Sequence, residues 1–224
     1  MLMDYNWLVL AHLLLFVYWL GGDLGVFWSS RYVVDPTVSV DARVVAGKIM
    51  HALDLVPRVC LVLILPVGIS MSAARWGLPV SGAALAVIWI AALAWLAIAV
   101  TVYLRGGTAL ARRLAPADTG VRIGVLVSCA GVAAWGFAGG GPLAEQPWLA
   151  GKFGLFALLV ACGLAIRVAL RPFVPAFRQL VVEGSKPELE RQLAGSIAKV
   201  RPFVLLIWAG LVASAALGVF KPVG

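Results

Sequence analysis

The sequence predicts an all-α, polytopic membrane bundle of six transmembrane helices with both termini outside, and three observations predict it. Of its 224 residues, 62% are apolar and only 12% charged, and the mean hydropathy is +1.01. That balance excludes a water-soluble globule and a disordered chain. Second, apolar runs long enough to cross about 30 Å of hydrocarbon at about 1.5 Å per residue recur along the chain. Their number excludes a single anchor, and their continuity excludes the alternating polarity of an outer-membrane barrel. Third, lysine and arginine gather in alternate connections, as the positive-inside rule requires. The same rule accounts for most of the net charge of +8, so the charge does not call for nucleic acid. The bilayer is the expected partner.

The spans are expected at about 6–28, 46–71, 78–104, 121–141, 148–170 and 201–220. The first follows a stretch, Met1 to Trp7, that holds Asp4 and no basic residue, so it lacks the basic start of a cleaved signal and is read as retained. The second must borrow a polar stretch containing His51, Asp54 and Arg58, because the apolar run after Arg58 is too short alone. The third is the cleanest, with no charge between Arg75 and Arg105. The fourth ends at Gly139, Gly140, Gly141 and Pro142. Between the fifth and sixth, the segment 172–200 is broken by Pro172, Pro175 and Pro187 and is expected as an amphipathic cytoplasmic loop on the membrane surface. Arg-Pro-Phe-Val occurs at both 171–174 and 201–204, each read as a helix boundary at the headgroup layer. On the sixth span Gly210, Ser214 and Gly218 form a small-residue ridge for close contact within the monomer or across a dimer. Trp7, Trp76 and Trp148 fit an outer aromatic belt.

Arg31, Arg43 and Lys48, then Arg105, Arg112, Arg113 and Arg122, then the basic run from Arg167 to Arg201, fall in loops one, three and five. Loops two and four offer Arg75 and Lys152. The odd loops are therefore expected in the cytoplasm, in an inner membrane. Cys60, Cys129 and Cys162 lie in separate spans with no paired spacing and are expected as free, packed thiols. No phosphate-binding glycine loop, H-E-x-x-H element or four-cysteine metal pattern occurs.

Ionisable groups inside hydrocarbon cost about 2.5–3.5 kcal/mol each for Asp or Arg at mid-span, so they require partners or a purpose. His12 and Asp23 lie on the first span and return within about 20° of one another on the helix, with Trp19 near the same stripe. On the second span His51, Asp54 and Arg58 share a face, Asp54 and Arg58 in register for an ion pair. Two such stripes on consecutive helices are expected to face each other as a buried seam. The two histidines differ in depth by about 12–18 Å, which disfavours one metal held by both and favours two sites. The inner group, Asp23, His51, Asp54 and Arg58, suits proton handling, a borderline or hard divalent ion at His51, or a salt-bridge knot that only orients helices. The outer His12, with Trp19 and Phe16 nearby, suits a flat apolar cofactor as well as plain packing.

His12, six residues, then Trp19, Leu20, Gly21 and Gly22 resembles the first helix of CopD-type copper resistance membrane proteins and of HemJ-type protoporphyrinogen oxidases. The likeness continues through Lys48, Ile49 and Met50 and the Pro66 to Gly68 region, covering about 60 residues. It implies a helical membrane protein that handles haem, porphyrin or copper, with His12 as a ligand or essential polar group. His51 and Ala52 stand where HemJ-type chains carry paired basic residues, and Met3, Met50 and Met71 make no thioether ladder for copper. The sequence thus leads to a haem b redox protein, an oxidoreductase with His12 as axial ligand and the inner cluster managing protons. The alternatives are a transporter of copper, another divalent metal or protons, and a non-catalytic assembly subunit. A homo-oligomer or a membrane redox partner is compatible with each.

Overall fold

The computed structural model describes residues 2–221, with side chains from residue 5 onward, and these residues are helical with no strand. Seven helices follow in order: α1 (Leu2–Val33), α2 (Val40–Arg75), α3 (Gly82–Leu104), α4 (Ala109–Phe137), α5 (Pro147–Ala169), the short α6 (Phe173–Glu183) and α7 (Pro187–Phe220). They make six segments long and apolar enough to cross a membrane, α5 and α6 counting as one from Pro147 to Glu183, so this is a multi-pass membrane protein. Short polar side chains start several of them. Ser39, Ser81 and Thr108 accept hydrogen bonds from the otherwise orphaned amides of Ala42, Ala84 and Ala111.

Each spanning helix packs on the next, and α7 returns to touch α1, so the six form a closed ring. The α1–α7 contact is the least extensive of the ring, while α1 on α2 is the most extensive. That tight pair rests on two glycines. A Cβ at Gly22 would lie 2.8 Å from the rigid ring of Pro57 at Cδ, so glycine is required there, whereas one at Gly25 would lie 2.6 Å from Leu53 Cδ1, a terminal methyl that can move aside. Trp19, Cys60, Trp95, Cys129, Phe156 and Cys162 contribute to the core within the ring, the three cysteines as free thiols. Large apolar side chains such as Leu14, Val17, Ile90 and Val212 point outward, as lipid-facing surfaces require.

Several boundaries differ from the sequence reading. Helix α4 begins twelve residues before its expected span, running through Arg112, Arg113 and Pro116. Residues 187–200, expected in a surface loop, instead form the first turns of α7, which continues past Pro202. The two Arg-Pro-Phe-Val copies are therefore not equivalent: Pro172 precedes α6 at its boundary, whereas Pro202 lies inside a helix. Helix α6 is amphipathic, but its apolar face folds onto protein. Phe173, Ala176 and Leu180 are buried with Val33, Leu189 and Leu193. The ridge on α7 faces within the monomer, where Gly210 meets Leu159 and Gly218 meets Lys152, both on α5. Trp148 is buried and packs edge-on against Trp76 at 5.4 Å, so these two close the bundle interior instead of forming a lipid belt, while Trp7 is exposed.

Candidate functional site

Two polar regions lie at opposite ends of the ring. Near the chain termini, α1, α2, α5 and α7 enclose a cavity of about 360 Å³. His12 of α1 lies in its wall against Gly68 of α2, where a Cβ would stand 3.3 Å from the imidazole Cε1. The missing side chain makes room for the ring. His12 is half-buried, and its Nδ1 is sealed from solvent with no hydrogen-bond partner among the described residues. Leaving such a group unpaired costs about 1–3 kcal/mol. The walls are mainly apolar, with Phe16 and Trp19 from α1 and Phe153 and Phe156 from α5. Lys152 of α5 and Lys221 beyond α7 line the same space, and no carboxylate does so among the described residues. Leu13 and Val219 line the cavity and are also exposed on the outside of the bundle, so it reaches the surface at the thin α1–α7 seam.

The other region lies toward the end that carries the basic connections. Arg58 Nε donates to Asp54 Oδ2 at 2.9 Å, the ion pair expected from their register. The seam expected around that pair is formed only in part, since Asp54 and Arg58 reach Asp23 electrostatically without sharing a hydrogen bond with it. Leu53 and Pro57 are the residues that meet α1, and Asp54 and Arg58 each follow one of them, about 100° further round the helix. That rotation turns them toward α3, where Arg58 lies 5.5 Å from the Tyr103 ring centre. Asp54 and Arg58 are both within electrostatic reach of Asp23 on α1, and Arg58 also of Arg122 on α4. Asp23 is half-buried, its Oδ2 sealed and unpartnered among the described residues, with Trp19 beside it one turn away.

His51 departs furthest from expectation. It is exposed and stacks on Tyr103, ring centres 4.4 Å apart. It belongs to the α2–α3 surface and not to a pocket with Asp23. More than four turns of α2, about 25 Å, separate it from Gly68, where His12 packs. The two histidines cannot share one ion. Among the described residues no group of three or more His, Cys, Asp or Glu side chains is arranged to hold a metal, so the inner divalent-ion site at His51 is not formed. Trp19, by contrast, is where the sequence pointed: 3% exposed, it lines the cavity and stands between His12 and Asp23 on one helical stripe.

Two charged clusters were missed. Asp118 of α4 is fully buried and accepts from Trp95 Nε1 at 2.8 Å, from Arg122 Nε at 3.3 Å and from Arg167 Nη2 at 2.6 Å. The Asp118–Arg122 spacing is the same four-residue step as Asp54–Arg58, so its signal was available in the sequence. Arg43 is also fully buried. It donates through Nε to the Val33 carbonyl at 2.8 Å and through both terminal nitrogens to the Glu190 carboxylate at 2.7 and 2.8 Å. This fork ties the start of α7 to the α1–α2 connection. No adjacent sequence feature announces a pair so far apart in the chain.

Comparison with protein-family models, with curated proteins and with solved structures finds no match to this chain.

Proposed function

We propose that this is an inner-membrane redox protein that binds haem, or a related porphyrin, in the cavity between α1, α2, α5 and α7, with His12 as its ligand. The observation that carries the reading is an imidazole in the wall of an aromatic-lined cavity, its Nδ1 edge packed against α2 at Gly68. The residues fit such a group. Its volume of about 360 Å³ falls within the range of about 300–1,000 Å³ typical of small-molecule sites. Bound haem would supply one-electron chemistry, tuned by axial ligation, burial and hydrogen bonding. His12 provides the nitrogen, and Phe16 and Trp19 provide apolar walls. Asp23, one turn beyond Trp19, is placed to hold a proton between the cavity and the Asp54–Arg58 pair. On the positive-inside rule the cavity lies toward the outer face and Asp23 toward the cytoplasm.

The test is an optical spectrum of protein purified from haem-replete cells. A Soret band that disappears in His12→Ala, with the variant still folded, is expected. No band, or one that His12→Ala leaves unchanged, overturns the assignment. A second reading, a proton or metal-ion transporter, draws support from the sealed Oδ2 of Asp23. It requires ion flux in proteoliposomes that Asp23→Asn abolishes.

A further inference from the structure

Among the described residues, the cavity wall carries positive charge with no carboxylate opposite to it. Lys152 lies about one and a half turns into α5, half-buried, lining the cavity. Its Nζ stands against α7 at Gly218, where a Cβ would approach within 2.9 Å. A glycine on that ridge leaves room for the ammonium. Among the described residues Lys152 forms no ion pair and donates no hydrogen bond within the protein. The group facing it within electrostatic reach is His12, and the second cation of the cavity is Lys221, whose Nζ sits 4.8 Å from the Trp76 ring centre.

A half-buried ammonium among apolar walls is costly unless an anion comes with it. Among the described residues four other buried or half-buried cations have one, Arg43 with Glu190, Arg58 with Asp54, and Arg122 and Arg167 with Asp118, whereas Lys221, half-buried on the same cavity, has none and rests on the Trp76 ring. Lys152 differs from the paired cations in facing a cavity large enough for a ligand. That cavity reaches the bundle surface between Leu13 of α1 and Val219 of α7, both exposed, so a molecule dissolved in the bilayer has a lateral way in. An uncharged apolar guest would leave Lys152 unpaired, and a small inorganic anion would leave the aromatic walls unfilled.

We infer that the cavity selects an apolar molecule bearing a carboxylate, and that Lys152 is the counter-ion that recognises this acid group. Under the function proposed above the molecule is a tetrapyrrole with its propionate arms. The inference rests on that reading for the body of the ligand, but not for its acid group, which a long-chain fatty acid also carries.

The experiment titrates purified protein in detergent with metal-free protoporphyrin and with its dimethyl ester, following the quenching of Trp19, Trp76 and Trp148 fluorescence, and repeats this with oleate and methyl oleate. The free acid is expected to bind at least about ten-fold tighter than its ester, a difference of about 1.4 kcal/mol. Lys152→Met should remove the preference while leaving ester binding in place, which also shows that the variant is folded. Lys152→Arg should keep most of it. Should Lys152→Met not purify intact, Lys152→Gln serves the same purpose with a smaller change in polarity. Equal affinity for acid and ester in the unmodified protein, or a preference that survives loss of the Lys152 charge, overturns the inference. If oleate binds with a Lys152-dependent preference and neither porphyrin form binds, the recognition of an acid group stands and the haem reading falls. If no ligand binds, both fall.

Discussion

The two ends of the ring treat charge in opposite ways. Toward the basic connections, Arg43, Asp118 and Arg122 are almost completely buried, yet each has a partner of opposite sign from another turn or another helix. Toward the termini, His12 and Lys152 are less deeply buried and have no counter-charge among the described residues of the cavity they line. Both arrangements take polar groups out of water. The first repays that cost inside the fold; the second leaves it to be repaid by whatever occupies the cavity. Pairing is not complete at the basic end either, where Asp23 Oδ2 and Arg122 Nη2 are sealed without a hydrogen-bond partner among the described residues, so under the proposed function it is the open cavity beside His12 and Lys152 that sets them apart.

The contrast is sharpened most by breaking the paired end. Asp118→Ala leaves Arg122 and Arg167 without a carboxylate and the Trp95 indole without its acceptor, and should cost about 3–5 kcal/mol, as removal of one partner of a buried pair does. Thermal unfolding in detergent measures this, and a loss below about 1 kcal/mol would show that water reaches the cluster and restores its pairing. A smaller loss, about 1–3 kcal/mol, is expected for Gly22→Ala, whose added methyl must displace the Pro57 ring on the tight α1–α2 contact. If unfolding is unchanged there, the glycines do not set the rotation that turns Asp54 away from α1. The smallest effect is reserved for the ion pair in the middle. Asp54 and Arg58 side chains keep 34% and 31% of their exposure, so Asp54→Asn and Arg58→Gln should each shift stability by about 0–1 kcal/mol, with the double variant close to the unmodified protein. A large loss would move this pair into the class of Asp118.

Much of the fold is legible because lipid imposes a simple rule. Charge-free stretches such as the one ending at Arg105 have nowhere else to go, and each of the six expected spans overlaps an observed helix. Helix starts were legible only in part. Pro187 followed by Glu188 and Glu190 is an ordinary helix beginning, but the polar turns after it look like loop when hydropathy is the guide. The start of α4 was lost for the same reason, since Arg112, Arg113 and Asp118 read as a solvated connection, although of the three Asp118 is buried. Within the candidate site, spacing on a single helix placed His12, Trp19 and Asp23 on one stripe and paired Asp54 with Arg58. It does not say which neighbour a stripe will face. That was decided by Gly22 and Gly25 meeting Pro57 and Leu53, a contact that brings α2 to α1 at one rotation and sends His51 to Tyr103. Lys152 was read as a loop charge because its counterpart, the small side of α7 at Gly218, lies far away in the chain.

The ring is closed by α7 lying back against α1, and this has a bearing on how the protein is made. The walls of the cavity supplied by α1, α2 and α5 are synthesised before α7. Until residues 187–220 are threaded into the bilayer, those three helices form an open trough. The wall at the thin α1–α7 seam is therefore the last to be completed, and it is the side on which the finished cavity still reaches the surface.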